Sequence, residues 1–137
     1  MRIDFTNKDI INSKEIYVHD AVFTGFNYNY KNKYIIFECE ETYYRKKFYF
    51  KFLNVFGFKM RECDWWGESQ RILDWEAVDI NNNSLTRELI EFRSDENQSI
   101  SRLTNPNIII ESVFTLISGD TFTIVCEYID FYEEEIQ

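Results

Sequence analysis

The stretch from Ile108 to Tyr128 reads Ile-Ile-Ile-Glu-Ser-Val-Phe-Thr-Leu-Ile-Ser-Gly-Asp-Thr-Phe-Thr-Ile-Val-Cys-Glu-Tyr. Two runs rich in β-branched and aromatic residues, Ile108–Ile117 and Thr121–Tyr128, flank Gly119-Asp120. A Gly-X pair suits a two-residue type II′ turn, so the stretch predicts a β-hairpin. Pairing about that turn puts Val113, Ile117, Phe122, Ile124 and Cys126 on one face. Ile110, Phe114, Leu116, Val125 and Ile129 fall on the other. Strands apolar on both faces are buried on both faces. The hairpin is therefore expected at the centre of the fold, or beneath a covering helix or a dimer partner.

Two further hairpins lie upstream. A turn at Lys31-Asn32 pairs Tyr28 with Ile35, Phe26 with Phe37 and Thr24 with Cys39, while Asn27, Asn29, Glu38 and Glu40 take the other face. A one-residue slip would mix the two sets, which favours this register. The next hairpin extends the apolar face by pairing Cys39 with Phe48, Phe37 with Phe50 and Ile35 with Phe52. It also sets Glu40 against Lys47 and Glu41 against Lys46, opposite-charge pairs that stabilise a ladder. Tyr43-Tyr44 is poor turn chemistry, which leaves room for a longer loop. Val55–Arg61 predicts a fourth strand and Arg71–Val78 a short one. Ser84–Arg93 has Leu85, Leu89 and Phe92 at helical spacing, with Ser84 placed to cap a short helix. Residues 94–107 read as a polar loop, and Glu133-Glu134-Glu135 as a solvated, frayed tail. The fold expected is one mainly β domain over residues 1–137, an antiparallel meander forming a sandwich or partly open barrel with one short helix. Phe26, Phe37, Phe50, Phe114, Ile124 and Val125 are its predicted core.

With 137 residues, 45% hydrophobic and 28% charged, the chain is long enough to bury such a core. Aromatics at 18% favour sheet. No apolar run marks a signal peptide or a membrane span, so a cytoplasmic protein is expected. Cys39, Cys63 and Cys126 are odd in number and widely spaced, which predicts no disulfide framework.

The net charge is −9 and is unevenly spread along the chain. Residues 1–61 carry eleven Lys/Arg against seven Asp/Glu, and residues 62–137 carry four against seventeen. These are balances of +4 and −13, and no lysine follows Lys59. Phosphate contacts need clustered cations, so neither nucleic acid nor an acidic membrane surface is an expected partner. A basic protein is. A homodimer pairing the basic N-terminal sheet with the acidic C-terminal region is a further possibility.

Three places deserve weighing as sites. His19-Asp20 suggests a general base held by a carboxylate. The plainer reading, a turn in which Asp20 bonds local backbone amides, is preferred because no nucleophile motif accompanies the pair. Cys63-Asp64-Trp65-Trp66-Gly67-Glu68, with Trp75 following closely, reads as a recognition loop, since tryptophan is enriched in binding hot spots. Against that, large aromatics also fill cores. The binding residues expected are Asp64, Trp65, Trp66, Glu68 and Trp75. A metal would need His19, Cys63, Asp64 and Cys126 to converge, and none has ligand spacing. No catalytic residue, metal or cofactor is expected.

Val18-His19-Asp20-Ala21, the run from Asn54-Val55 through Cys63-Asp64-Trp65-Trp66-Gly67, and Ile117-Ser118-Gly119-Asp120 through Val125-Cys126-Glu127 together resemble small bacterial β-rich proteins. Some of these are similar to immunity proteins of polymorphic toxin systems. The resemblance covers most of the chain and implies a cytosolic binder more than an enzyme. It carries over no active-site residue. The function expected is therefore a non-catalytic protein-binding domain, of immunity type, with a basic partner. The alternative is a small-molecule binder with a pocket inside the barrel or sandwich, lined by Phe26, Phe37 and Phe50. An enzyme built on His19 ranks third.

Overall fold

The computed structural model describes residues 1–61, 70–92 and 100–136. Among the described residues, nine strands form two antiparallel sheets packed face to face. The first sheet has the order β1-β9-β4-β3-β2, with β1 at Arg2–Ile3, β2 at Val22–Asn29, β3 at Tyr34–Glu41, β4 at Lys46–Leu53 and β9 at Tyr128–Glu135. The second has the order β5-β8-β7-β6, with β5 at Gly57–Arg61, β6 at Ile72–Val78, β7 at Ile110–Leu116 and β8 at Thr121–Cys126. Among the described residues both sheets are antiparallel throughout and do not close into a barrel. One pair of edges is stitched by an isolated Val22–Arg71 bridge. Flanking it, the Asp20 amide donates to Ile72 O, the Ile72 amide to Ala21 O and the Phe23 amide to Gln70 O, each at 2.8 Å.

The β3–β4 ladder has the expected register in full, from Ile35 opposite Phe52 to Glu41 opposite Lys46. Its loop is four residues long. The Glu41 carboxylate accepts from the amides of Tyr43 (3.0 Å) and Tyr44 (2.5 Å), and Arg45 takes a left-handed φ of 55°. The β2–β3 ladder holds Tyr28–Ile35 and Phe26–Phe37, but the register shifts between Phe23 and Gly25, so Phe23 and not Thr24 faces Cys39. The shift turns Thr24 outward and lays the Phe23 ring 4.8 Å from that of Phe37.

The C-terminal hairpin forms with a different turn. The Gly119 amide donates to Leu116 O (2.9 Å) and the Leu116 amide to Asp120 O (2.8 Å), a three-residue loop of Ile117, Ser118 and Gly119. Gly119 is the left-handed residue of that loop, with φ at 91°. Phe114 therefore faces Phe122 and Ser112 faces Ile124. The register moves by an odd number of residues from the expected one and exchanges the face partners. Ile110, Phe114 and Leu116 join Phe122, Ile124 and Cys126 in the interior, whereas Ile117 is exposed. The other face of the hairpin is also covered, as expected. Leu85, Leu103, Ile109 and Val125 make a second apolar cluster with Leu89 and Ile90.

Two helices supply that cover, α2 at Leu85–Phe92 and α3 at Ile100–Leu103. Arg93, at the end of the predicted helix, lies outside the described residues. Helix α3 falls within the stretch read as a polar loop, and its Leu103 is only 1% exposed. Gly57 lets α2 approach β5 closely, since a Cβ there would stand 2.8 Å from the Leu89 methyls. Ser84 precedes α2, but its hydroxyl accepts from the Asn81 amide (2.7 Å). The capping acceptor is Glu111 of β7, which takes the amides of Leu85 (3.1 Å) and Thr86 (2.8 Å) and the Thr86 hydroxyl (2.6 Å).

Glu133–Glu135 are not a frayed tail. They are the end of β9, exposed but paired in register with Phe48, Lys47 and Lys46. Strand β4 thus lies between acidic residues of β3 and acidic residues of β9. The charge imbalance along the sequence is partly cancelled within one sheet, where Arg2 pairs with Asp130 and Lys46 with Glu133.

Candidate functional site

The chain before β2 builds the most distinctive surface. Helix α1, Asp9–Asn12, packs on β6 and is held there by the Asn12 side chain, which donates to Ala77 O (3.0 Å) and accepts the Ala77 amide (2.8 Å). After it, the chain runs as a strap from Glu15 to His19. Side chains alternate along the strap: Ile16 and Val18 are buried, while Tyr17 and His19 are exposed. Left-handed residues bracket it, Lys14 (φ 64°) before and Asp20 (φ 68°) after. Non-glycine residues adopt this conformation only when surrounding contacts hold them there, and such positions concentrate at functional sites. The contacts are present. Lys14 Nζ donates to Asp74 Oδ1 (2.5 Å) and Trp75 O (3.0 Å), and Arg71 Nη1 donates to Asp20 O (2.8 Å).

A cleft opens on each side of this strap. The smaller, about 180 Å³, lies toward β6 and includes Leu73 and Asp74. The larger, about 470 Å³, lies toward the β3–β4 loop and β9. Its floor is apolar, made by Ile16, Phe48 and Phe131. Tyr17 and Tyr44 stand at its rim, 65% and 71% exposed. Three carboxylates line it, Glu15, Glu41 and Glu133, against two cations, Lys46 and the Met1 ammonium, which donates to Phe131 O (3.0 Å). Glu41 is engaged by the loop amides, which fixes Tyr44, and Glu133 is 3.7 Å from Lys46. Glu15 is exposed and has no ion-pair or hydrogen-bond partner among the described residues.

His19 borders both clefts, with Nδ1 3.1 Å from Asp20 Oδ2. Asp20 thus contacts the imidazole, and its own backbone is held by Arg71 and Ile72. Among the described residues no serine, threonine or cysteine lines either cleft, so the pair faces no hydroxyl or thiol nucleophile other than tyrosine.

The expected recognition loop, with Cys63, Asp64, Trp65, Trp66 and Glu68, lies outside the described residues. Trp75 does not lie at the surface. It is 2% exposed in β6, stacked on Phe114 with planes 7° apart and centroids 5.3 Å apart. The register shift between Ile72 and Asp74 turns it to the same interior face as Ile72. Cys39 and Cys126 are free thiols in the interior, and burial pushes both pKa values up, that of Cys39 to about 12. The interior pocket of the small-molecule reading is not found among the described residues. Phe37 and Phe50 are fully buried and packed ring to ring with Phe114. Phe26 borders an open depression with Asn27, Ile36 and Glu38.

The strap escaped the sequence reading because its elements are too short to carry a period. One local signal was present: Ile16-Tyr17-Val18 alternates in the manner of a half-buried extended segment. No model of a known protein family matches the chain, and no curated protein matches it either. Among the described residues, no helix is long and apolar enough to cross a membrane.

Proposed function

We propose that this chain is a non-catalytic protein-binding domain of immunity type, and that its partner is a basic protein. The observation that supports this best is the larger cleft beside the strap. It combines exposed aromatic side chains, an apolar floor and a negative lining, the ingredients of a docking site for a positively charged surface. The net charge of −9 adds long-range steering toward such a partner. Trp65 and Trp66, flanked by Asp64 and Glu68, remain proposed anchors from the sequence. A cytoplasmic location, in keeping with the resemblance, belongs to the same proposal.

The test is binding of the purified chain to the products of the genes that flank its own, with association rates measured against ionic strength. A basic flanking product whose on-rate falls about 10-fold or more from low to high salt supports the reading. A flanking product that binds with a salt-independent on-rate, or no binding to any of them, overturns it.

A further inference from the structure

We infer that the larger cleft receives an arginine side chain carried on an exposed segment of the basic partner. This deepens the proposed function and rests on it for the identity of the protein that carries the arginine. The cleft offers two kinds of group at once. Tyr17 and Tyr44 provide exposed aromatic rings at its rim, and Glu15 and Glu133 provide carboxylates beside an apolar floor. A guanidinium can use both together. Its flat face stacks on an aromatic ring, its edge donates paired hydrogen bonds to a carboxylate, and its three-carbon stem covers apolar surface. An ammonium is a compact, strongly hydrated point charge and gains less from the same walls.

Three further features support this occupant. Glu15 is the only one of the three carboxylates with no partner among the described residues, so an incoming cation displaces nothing to reach it. Glu133 holds Lys46 only loosely, at 3.7 Å and about half exposed. The walls are also set in advance. The Glu41 carboxylate pins the Tyr44 amide, and Arg45 behind it sits in the left-handed region. Lys14 and Asp20 fix the two ends of the strap that carries Tyr17. Walls already ordered spare the entropy of ordering them on binding. At about 470 Å³ the cleft exceeds one side chain, so it also takes backbone beside the arginine.

The experiment uses the full chain and three soluble peptides of the sequence Gly-Xaa-Gly-Xaa-Gly, blocked at both ends, with Xaa as arginine, lysine or the neutral isostere citrulline. Binding is followed by NMR shift changes at Tyr17, His19 and Tyr44. The arginine peptide is expected to bind at least about ten-fold more tightly than the citrulline peptide, and measurably more tightly than the lysine peptide. Tyr44→Ala weakens it about two- to five-fold, the loss of one exposed cation–π contact. Glu15→Gln weakens it by a similar factor. These side chains are exposed, and an unchanged amide spectrum away from the cleft confirms that the variants fold. Equal binding of arginine and citrulline peptides overturns the inference, as do equal binding of the lysine peptide, shifts centred elsewhere, or no binding at millimolar peptide. If the peptides fail while a basic flanking product still binds with salt-sensitive on-rates, the arginine assignment falls and the protein-binding reading stands. If the arginine peptide binds and no flanking product does, the reverse holds.

Discussion

The ring of Phe37 lies flat against that of Phe114, with centroids 4.0 Å apart and planes 4° from parallel. One ring comes from β3 and the other from β7, so this contact joins the two sheets. Both side chains are fully buried, and Phe50 and Phe122 meet Phe37 edge-on. Truncating a buried phenylalanine costs about 3–5 kcal/mol. Phe37→Ala and Phe114→Ala are each expected to lower stability by that amount in urea titration. The double mutant should lose less than the sum of the two, with a coupling of about 0.5–1.5 kcal/mol for the ring pair. Strict additivity would show that the stacking contributes nothing beyond burial.

The two described cysteines should be unreactive in the native protein. Burial is the main cause of the raised thiol pKa at Cys39, with Glu40 adding to it, and at Cys126, with Glu127 adding to it. The thiolate is the reactive form, so at pH 8 neither thiol should react with an aromatic disulfide reagent on the timescale of minutes. At most one of the three cysteines is expected to titrate before denaturant is added, and all three afterwards. Two fast-reacting thiols in folded protein would contradict the placement of β3 or β8.

How much of this was legible depended on whether two independent signals coincided. In β3–β4 the phenylalanine alternation and the Glu40–Lys47 and Glu41–Lys46 pairs specify one register, and that register forms. In the C-terminal hairpin only the turn residues set the register. Gly119 satisfies either a two-residue turn as its first member or a three-residue loop as its last. The apolar residues could not choose, because both faces of the hairpin are covered. Strand β9 was hidden because Glu133-Glu134-Glu135 reads as solvated unless the lysines of β4 are known to lie alongside. Trp75 was read with the tryptophans at 65 and 66 because it is near them in sequence, although its strand turns it inward. The clefts were not legible at all. The larger arises where the strap meets the β3–β4 loop and β9, and the smaller where it meets β6, segments far apart in the chain.

Arg2 of β1 gives the fold a weak dependence on pH. Its guanidinium donates to both carboxylate oxygens of Asp130, at 2.8 and 2.9 Å, and these hydrogen bonds hold the Asp130 carboxyl below its usual range. A carboxyl whose folded pKa is depressed stabilises the fold above its unfolded pKa, about 4, and loses that contribution as pH falls through the folded value. The Arg2 side chain is exposed, so solvent screening keeps the pair's contribution small. Wild type should exceed Arg2→Ala in stability near pH 7, and the gap should close as pH drops below 4. A gap that widens in acid would reverse the sign of the linkage.

Ser112 of β7 places a hydroxyl in the interior, 0% exposed, with no hydrogen-bond partner for Oγ among the described residues. A buried hydroxyl without a partner costs free energy relative to an apolar group of the same size. Ser112→Ala is expected to leave stability unchanged or to raise it by about 1 kcal/mol, measured as the urea midpoint. A loss beyond about 1 kcal/mol would mean that the hydroxyl has a partner in solution.

Glu111 offers the sharpest test of how the helical cover is held. It is a carboxylate on β7, only 5% exposed, and among the described residues the one side-chain acceptor for the first two amides of α2. A helix begins with unsatisfied N–H groups, and here a strand supplies the acceptor that a flanking Ser or Asp would normally provide. Glu111→Ala leaves the Leu85 and Thr86 amides and the Thr86 hydroxyl unpaired in a buried place, so it should cost about 2–3 kcal/mol. Thr86→Val removes only the hydroxyl bond and should cost about 1 kcal/mol. Because both variants disrupt the same network, the double mutant should fall short of their sum. The loss should also be local. Amide exchange in α2 should accelerate in Glu111→Ala, while β3 and β4, in the other sheet, keep the protection set by global unfolding. If Glu111→Ala matches wild type in midpoint and in α2 exchange, the cap is not what seats this helix, and the packing of Leu85 and Leu89 over Val125 and Gly57 must hold it alone.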